Sequence, residues 1–289
     1  MTGPGAGLPV DGHTALAFLF GDPVSHSLSP AMHQAAFRAL GLNAVYLPWG
    51  VTPARLPDAI RGLRSLQNFL GANLTIPHKE AVIPFLDGLT PDALSIGAVN
   101  TIIHEGELLR GDNTDAAGFL ASLSPILPRA LTGSTAVLFG AGGAARAVAL
   151  GLAQAGCGRL RILNRSRERA EELAAAVTRH VPACGVSAAP LDSDTRLDTE
   201  ADLVVNTTAV GLHPSDPPLF VYESLDARAV VCDLIYRPPE TPLLAAARRR
   251  GCRTLNGLGM LLEQGALAFE RWTGRPAPRA IMRAVLAQS

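Results

Sequence analysis

Lysine is almost missing from this chain. Its 25 basic side chains comprise a single lysine, Lys79, and otherwise arginine. Aromatic residues are also sparse, at 5%, so any core must be built mainly from Leu, Val, Ile and Ala. Net formal charge is zero, which argues against a protein that holds nucleic acid electrostatically. The one basic run, Arg248-Arg249-Arg250, closes an Ala/Leu-rich helical pattern before Gly251, where cations suit the helix dipole. The four cysteines (Cys157, Cys184, Cys232, Cys252) form no CxxC pair and no disulfide-like cluster, which points to a reducing compartment. No His/Cys/Asp cluster has metal-ligand spacing, and no GxSxG elbow occurs, so no metal is expected. No apolar run reaches transmembrane length. The opening MTGPGAGLPVDGH lacks the basic and apolar regions of a signal peptide and reads as a frayed tail. A soluble cytoplasmic protein, with no nucleic-acid or membrane partner, is expected.

What is present is alternation. A length of 289 residues suits about two domains. Apolar strands at 15–20 (ALAFLF), 44–49 (AVYLPW) and 69–76 (FLGANLTI) alternate with helices announced by Ser29-Pro30, Thr52-Pro53 and Pro77. Ser29 reads as the cap of the first of these. VNTII and ELLRG read as a hairpin around Glu105-Gly106. A bridging helix follows Asp115, then a weak Pro-containing stretch at 124–134. The pattern restarts with strands TAVLFG, RLRILN, ADLVVN and AVVCDLIY, interleaved with helices and followed by three more. This order predicts an α/β fold of two open domains, with parallel sheets covered on both faces and a boundary near 115–133. Six polar clusters follow strand ends, where open α/β sheets bind ligands, and suggest an enzyme cleft between the domains.

Gly140-Ala141-Gly142-Gly143-Ala144-Ala145 fits G-x-G-x-x-[G/A] between a strand and an Ala-rich helix, the context of a Rossmann-type dinucleotide site. Gly140 permits the tight turn, Gly142 the approach of a pyrophosphate, and Ala145 close helix–sheet packing. No GK[ST] follows, which excludes a P-loop. The next strand ends in Asn164-Arg165-Ser166, with Arg169 one helical turn later, and no carboxylate stands at its tip. Two guanidiniums and a hydroxyl suit a 2′-phosphate, so NADP(H) is expected over NAD.

The first half supplies Ser27, Ser29, Asn73, Thr75, Asn100 and Thr101, and Asp115 follows, a set suited to a substrate with several hydroxyls and a carboxylate. Carbonyl–alcohol hydride transfer needs one proton donor and acceptor at the reacting oxygen. Arg stays protonated, whereas the pKa of Lys moves with its surroundings. At a helix start Lys79 would feel a positive dipole end, burial would lower its pKa further, and Asp115 is the candidate partner that would raise it again. Against this stands a lone lysine kept by chance as a surface charge.

Together SHSLSP (25–30), GANLTIPHKE (71–80), GAVNT (97–101), GDNTDAAGF (111–119), GAGGAAR (140–146), NRS (164–166), NTTAVG (206–211), DLIY (233–236) and NGLGMLLEQGA (256–266) resemble the shikimate dehydrogenase family over almost the whole chain. The resemblance implies NADPH-dependent reduction of 3-dehydroshikimate to shikimate. It implies Lys79 and Asp115 as the catalytic pair, Ser27 and Ser29 on the carboxylate, and Thr75, Asn100, Tyr236 and Gln264 on the hydroxyls and ring edge. Asn73 is grouped with the substrate residues. Leu234 and Gly257 would line the nicotinamide side, and Thr208 joins the cofactor residues Gly140, Ala141, Gly142, Gly143, Ala144, Asn164, Arg165, Ser166 and Arg169. It further implies a substrate-binding domain at 1–114 plus 258–289 and an NADP-binding domain at 115–257, in a monomer or homodimer. Leu234 replaces a common Met and Ala116 a common Gly; both departures are mild. The rivals are an NAD-using quinate/shikimate dehydrogenase and a non-catalytic metabolite-binding paralogue.

Overall fold

The computed structural model describes residues 10–192, 194–197 and 201–288; most of the stretch read as a tail lies outside them. By contact the chain divides into two units. One holds the described residues up to Thr114 and those from Leu262 onward; the other spans Asp115–Leu261.

The first unit contains β1 (Ala15–Gly21), α1 (Ser29–Ala39), β2 (Ala44–Gly50), α2 (Leu56–Leu63), β3 (Phe69–Leu74), the single-turn α3 (His78–Ala81), β4 (Gly88–Leu89), α4 (Pro91–Ile96), β5 (Thr101–Glu105) and β6 (Leu108–Asp112). Its sheet runs β2-β1-β3-β5-β6-β4. The hairpin expected around Glu105-Gly106 forms from β5 and β6, and it makes this sheet mixed, where alternation elsewhere implied parallel pairing. β1 pairs in parallel with β2 and β3, but β5 is antiparallel to both β3 and β6. The reason is local, because the turn at Gly106 reverses the chain within a hairpin and leaves no room for a crossover. The cap of α1 also differs. Leu28 stands at the cap position and Ser29 is already helical, while Ser27 Oγ accepts the Ser29 N–H at 3.2 Å.

Alternating strand residues feed two faces. Phe18, Phe20, Ala72, Leu74 and Ile102 pack with Leu56, Ile60 and Leu63 of α2. On α9 (Leu258–Thr273), which passes from the second unit into the first, Leu262, Ala266, Phe269 and Trp272 are buried at helical spacing. Phe269 meets Phe37 of α1 with ring centroids 5.4 Å apart, and Trp272 Nε1 donates to Ile102 O at 3.0 Å. Last comes α10 (Arg279–Ala287).

The second unit contains α5 (Asp115–Leu123), β7 (Thr135–Phe139), α6 (Gly143–Gln154), β8 (Arg159–Asn164), α7 (Arg167–His180), β9 (Gly185–Pro190), β10 (Leu203–Asn206), β11 (Val230–Asp233), α8 (Pro242–Arg249) and β12 (Arg253–Leu255). All its strands are parallel, in the order β12-β11-β10-β7-β8-β9. Ala136 and Leu138 pack with α5, α6 and α7, whereas Val137 and Phe139 face α8. β7, β10 and β11 are buried throughout, as befits a sheet covered on both faces. Strand order reverses between β7 and β10, which makes their carboxyl ends the place for a ligand. Three strands were invisible in the pattern: β4 and β12 are too short, and edge strand β9 (GVSAAP) is half-exposed and carries no apolar run.

His33 on α1 is fully buried between Tyr46 and Trp272, and neither ring nitrogen has a hydrogen-bond partner. Burial disfavours the imidazolium and holds its pKa down to about 3, against 6.5 ordinarily. The unfolded chain therefore binds the extra proton between those values, so this contribution is complete above pH 6.5 and is lost as pH falls toward 3. The loss at pH 5 is expected to be about 2 kcal/mol. In His33→Leu the difference between urea-unfolding free energies at pH 7 and pH 5 should shrink by about that amount. An unchanged difference would show that His33 is not the group responsible.

Candidate functional site

Seven of the expected substrate residues (Ser27, Ser29, Asn73, Thr75, Lys79, Asn100 and Gln264) lie in the first unit. Asp115 and Tyr236 lie in the second, together with every residue expected to hold the dinucleotide.

In the first unit the chain leaves β3 at Leu74 and turns into α3. Thr75 N–H donates to Phe20 O at 2.8 Å, and the buried His78 places Nε2 2.5 Å from Val51 O. The half-buried Lys79 follows, and its carbonyl accepts Val99 N–H at 2.7 Å. That bond places the loop carrying Asn100 beside the lysine segment. Leu74 N–H, in turn, donates to Asn100 O at 2.8 Å.

Asn100 is 1% exposed, and its amide is committed on both sides. Its Oδ1 accepts from Thr101 Oγ1 and from Thr114 N–H, both at 2.9 Å. Its Nδ2 donates to Thr114 Oγ1 at 2.9 Å and to Gln264 Oε1 at 3.3 Å. Thr114 Oγ1 donates to Gln264 O at 3.0 Å, which ties α9 to the end of β6. Asp112, also 1% exposed, ties the same helix down by accepting from Arg271 Nε at 3.0 Å. Asn73 sits behind this group. Tyr46 Oη donates to its Oδ1 at 2.9 Å, while its Nδ2 donates to Asn100 O and Thr101 Oγ1. Tyr46 is a member that sequence reasoning missed; it reads there only as one residue of a strand.

In the second unit Gly140 follows β7 with φ +110°, and a Cβ there would lie 2.5 Å from Thr207 Oγ1, so glycine is required by the protein itself. Gly142 is different. It caps α6 in ordinary extended backbone, and a Cβ would meet nothing within 4 Å. The space over Gly142 lies before a helix N-terminus that has no side-chain cap, which is the cradle a pyrophosphate needs. Thr207 N–H donates to Phe139 O at 2.9 Å and joins this turn to the loop after β10.

At the end of β8, Asn164 Nδ2 donates to Ser166 O at 2.8 Å, and Ser166 caps α7 by accepting Arg169 N–H at 3.4 Å. Arg165 and Arg169 are exposed. β8 ends at Asn164 with no carboxylate, as expected, but one stands nearby on the following helix. Glu168, in the first turn of α7, accepts the Ser166 hydroxyl proton at 2.8 Å. Its own backbone N–H and that hydroxyl hold its carboxyl below the usual range. Arg165, Arg167 and Arg169 surround this one anion, a net positive setting for a phosphate.

Asp233 organises the remaining loops. Its carboxylate accepts from Asn206 Nδ2 at 3.0 Å, Ile235 N–H at 3.1 Å and Thr241 Oγ1 at 2.7 Å. Burial pushes its pKa up, against the pull of those three donors. Asn206 Oδ1 accepts both the N–H and the hydroxyl of Thr208, so the Thr208 side chain shapes its own loop. Leu234 N–H bonds Asn206 O at 2.9 Å, and a Cβ on Gly257 would fall 2.0 Å from Leu234 O. Close backbone approach therefore explains Gly257, and Tyr236 lies on the same segment, half-buried.

Sequence profiles match three stretches of the chain. They are described as the shikimate dehydrogenase substrate binding domain (residues 19–102), shikimate / quinate 5-dehydrogenase (123–213) and the shikimate 5′-dehydrogenase C-terminal domain (257–287). The shikimate dehydrogenase (NADP(+)) of Moorella thermoacetica is 50% identical over 291 residues, covering 98% of this chain and 96% of its own. A solved shikimate 5-dehydrogenase from Thermus thermophilus, in complex with NADP(H) and shikimate, superposes with a TM-score of 0.83 at 38% identity, covering 95% and 99% of the two chains. A quinate dehydrogenase from Corynebacterium glutamicum in complex with NAD superposes with 0.85 at 33% identity, covering 96% and 99%.

The open space over Gly142 gives a direct test. Serine is a better helix cap than glycine, so Gly142→Ser is expected to keep the melting temperature, while crowding of the pyrophosphate weakens dinucleotide affinity by about tenfold or more. Equal affinity by calorimetry would show that no phosphate approaches this turn.

Proposed function

The chain belongs to the shikimate dehydrogenase family, and on that premise we propose that it interconverts 3-dehydroshikimate and shikimate reversibly with NADP(H), in aromatic amino-acid and chorismate biosynthesis. The observation that carries this reading is 50% identity, across 98% of the chain, with an enzyme named shikimate dehydrogenase (NADP(+)). The reducing cytoplasm is its setting, consistent with four free buried cysteines. No helix among the described residues is long and apolar enough to cross a membrane.

In this reading the first unit holds the hydroxy acid and the second the dinucleotide. Ser27 and Ser29 take the carboxylate. Thr75, Tyr236 and Gln264 bond the hydroxyls and ring edge, and Asn100 and Asn73, whose amides are engaged within the protein, support them. Lys79 gives a proton to the C3 oxygen during reduction and takes it back during oxidation, an exchange that arginine cannot perform. Asp115, 2% exposed at the start of α5, bonds the adjacent hydroxyl and orients the lysine. Residues Gly140 to Ala144 receive the pyrophosphate, and Asn164, Arg165, Ser166 and Arg169 the 2′-phosphate. Thr208, Leu234 and Gly257 line the nicotinamide end. When bound, NADP(H) supplies or accepts the hydride.

One observation favours a second reading, NAD with quinate. Glu168 places a carboxylate in the first turn of α7, near the end of β8 where NAD sites carry one. The choice rests on charge, since Arg165 and Arg169 flank it. Arg165→Ala is expected to raise KM for NADP by about tenfold while leaving KM for NAD nearly unchanged. Steady-state assays of shikimate and quinate with each cofactor decide between the two readings. A higher kcat/KM for quinate with NAD would overturn the first.

Lys79→Arg keeps the charge and removes the proton exchange. Its kcat, like that of Lys79→Ala, should fall by about 100-fold or more, with a smaller change in KM for shikimate. Turnover at the wild-type rate would remove Lys79 from the mechanism.

A further inference from the structure

We propose that Tyr46 is a positioning residue for substrate recognition: its buried hydroxyl holds Asn73 and, through Asn73 and Thr101, steadies the hydrogen-bond network that carries the Asn100 and Gln264 amides. The substrate half of this inference rests on the reading of a hydroxylated substrate above; the relay itself does not.

Tyr46 lies on β2, 3% exposed, with its ring stacked on His33 at 4.5 Å and 10°. The ring is therefore held by packing, and its hydroxyl has a defined direction. Asn73 Oδ1, 2.9 Å away, can only accept, so the phenol must donate. That turns Asn73 Nδ2 toward Asn100 O at 3.1 Å and Thr101 Oγ1 at 3.2 Å. The opposite amide orientation would set two carbonyl oxygens, Asn73 Oδ1 and Asn100 O, against each other in a buried place. Thr101 Oγ1, accepting from Asn73, has one proton to give, and gives it to Asn100 Oδ1 at 2.9 Å. With Asn100 Oδ1 an acceptor, its Nδ2 must point to Thr114 Oγ1 and Gln264 Oε1. Gln264 Oε1 is thereby an acceptor too, and what this amide offers a substrate hydroxyl is its Nε2 donor. The polarity is fixed by the acceptor-only Asn100 O and the donor-only Thr114 N–H, and Tyr46 Oη supplies the proton that Asn73 Oδ1 then requires, so its loss leaves a buried acceptor unsatisfied and loosens the network behind Gln264. Asn73, 5% exposed and engaged on both ends of its amide, then acts behind the substrate rather than on it.

Tyr46→Phe removes one oxygen and keeps the ring stack. Its KM for shikimate is expected to rise about five- to tenfold, the worth of roughly one buried hydrogen bond, with KM for NADP unchanged. Thr101→Val breaks the next link, so the double variant should resemble Thr101→Val alone rather than show the product of the two effects. A second readout needs no turnover. In the ligand-free protein, NMR-detected exchange of side-chain amide protons should accelerate at Asn100 and Gln264 as well as Asn73 in Tyr46→Phe. A wild-type protein that fails to oxidise shikimate would sink the functional reading, while the exchange data still decide the relay. Acceleration confined to Asn73, a multiplicative double variant, or equal rises of both KM values would overturn the proposal.

Discussion

The first unit's polar cluster depends on one buried amide, that of Asn100. An amide at 1% exposure cannot borrow water, so each of its lone pairs and protons needs a partner in the protein. Meeting that demand brings together the end of β3, the β6–α5 junction at Thr114 and the distant helix α9, which contributes Gln264. The backbone bond from Val99 to Lys79 O then places the lysine segment beside the same cluster. The only lysine of the chain is thus held by a short helix, a buried histidine beneath it and a loop whose conformation the Asn100 amide sets.

The second unit solves a similar problem with a carboxylate. Asp233, at the end of β11, is buried at a cost that only its three donors offset. Those donors belong to the last residue of β10, the segment carrying Leu234 to Tyr236 and the start of α8. The loops at the reversal of strand order are consequently tied by hydrogen bonds where they meet the Gly140 turn, while the space above Gly142 stays open. An open cradle between loops already bonded to one another is the arrangement that lets a phosphate bind without reordering the protein.

Much of the α/β architecture is legible in order and periodicity alone. The glycine turn after TAVLF and the helix opening at Asp115 are local signals, decided by neighbouring residues, and they stand where the pattern placed them. Edge strand β9 escaped because a half-exposed strand needs no apolar run. The hairpin at Gly106 was legible, but the antiparallel pairing of β3 with β5 escaped because alternation records that strands and helices follow each other, not which strands pair. Glu168 escaped because a residue in the first turn of a helix can fold back onto its cap, a contact that linear spacing from the strand end does not reveal.

By itself the sequence determined the two-part α/β plan, the dinucleotide turn and the family to which the chain belongs, since these rest on residue types at short spacing. Which polar side chains act on a ligand and which act on one another was decided only by tertiary structure. Tyr46 and Asn73 are 27 positions apart, Asn100 and Gln264 164 apart. No local pattern relates such pairs. Burial does, because once folding removes water from around them, the only partners left for their donors and acceptors are each other.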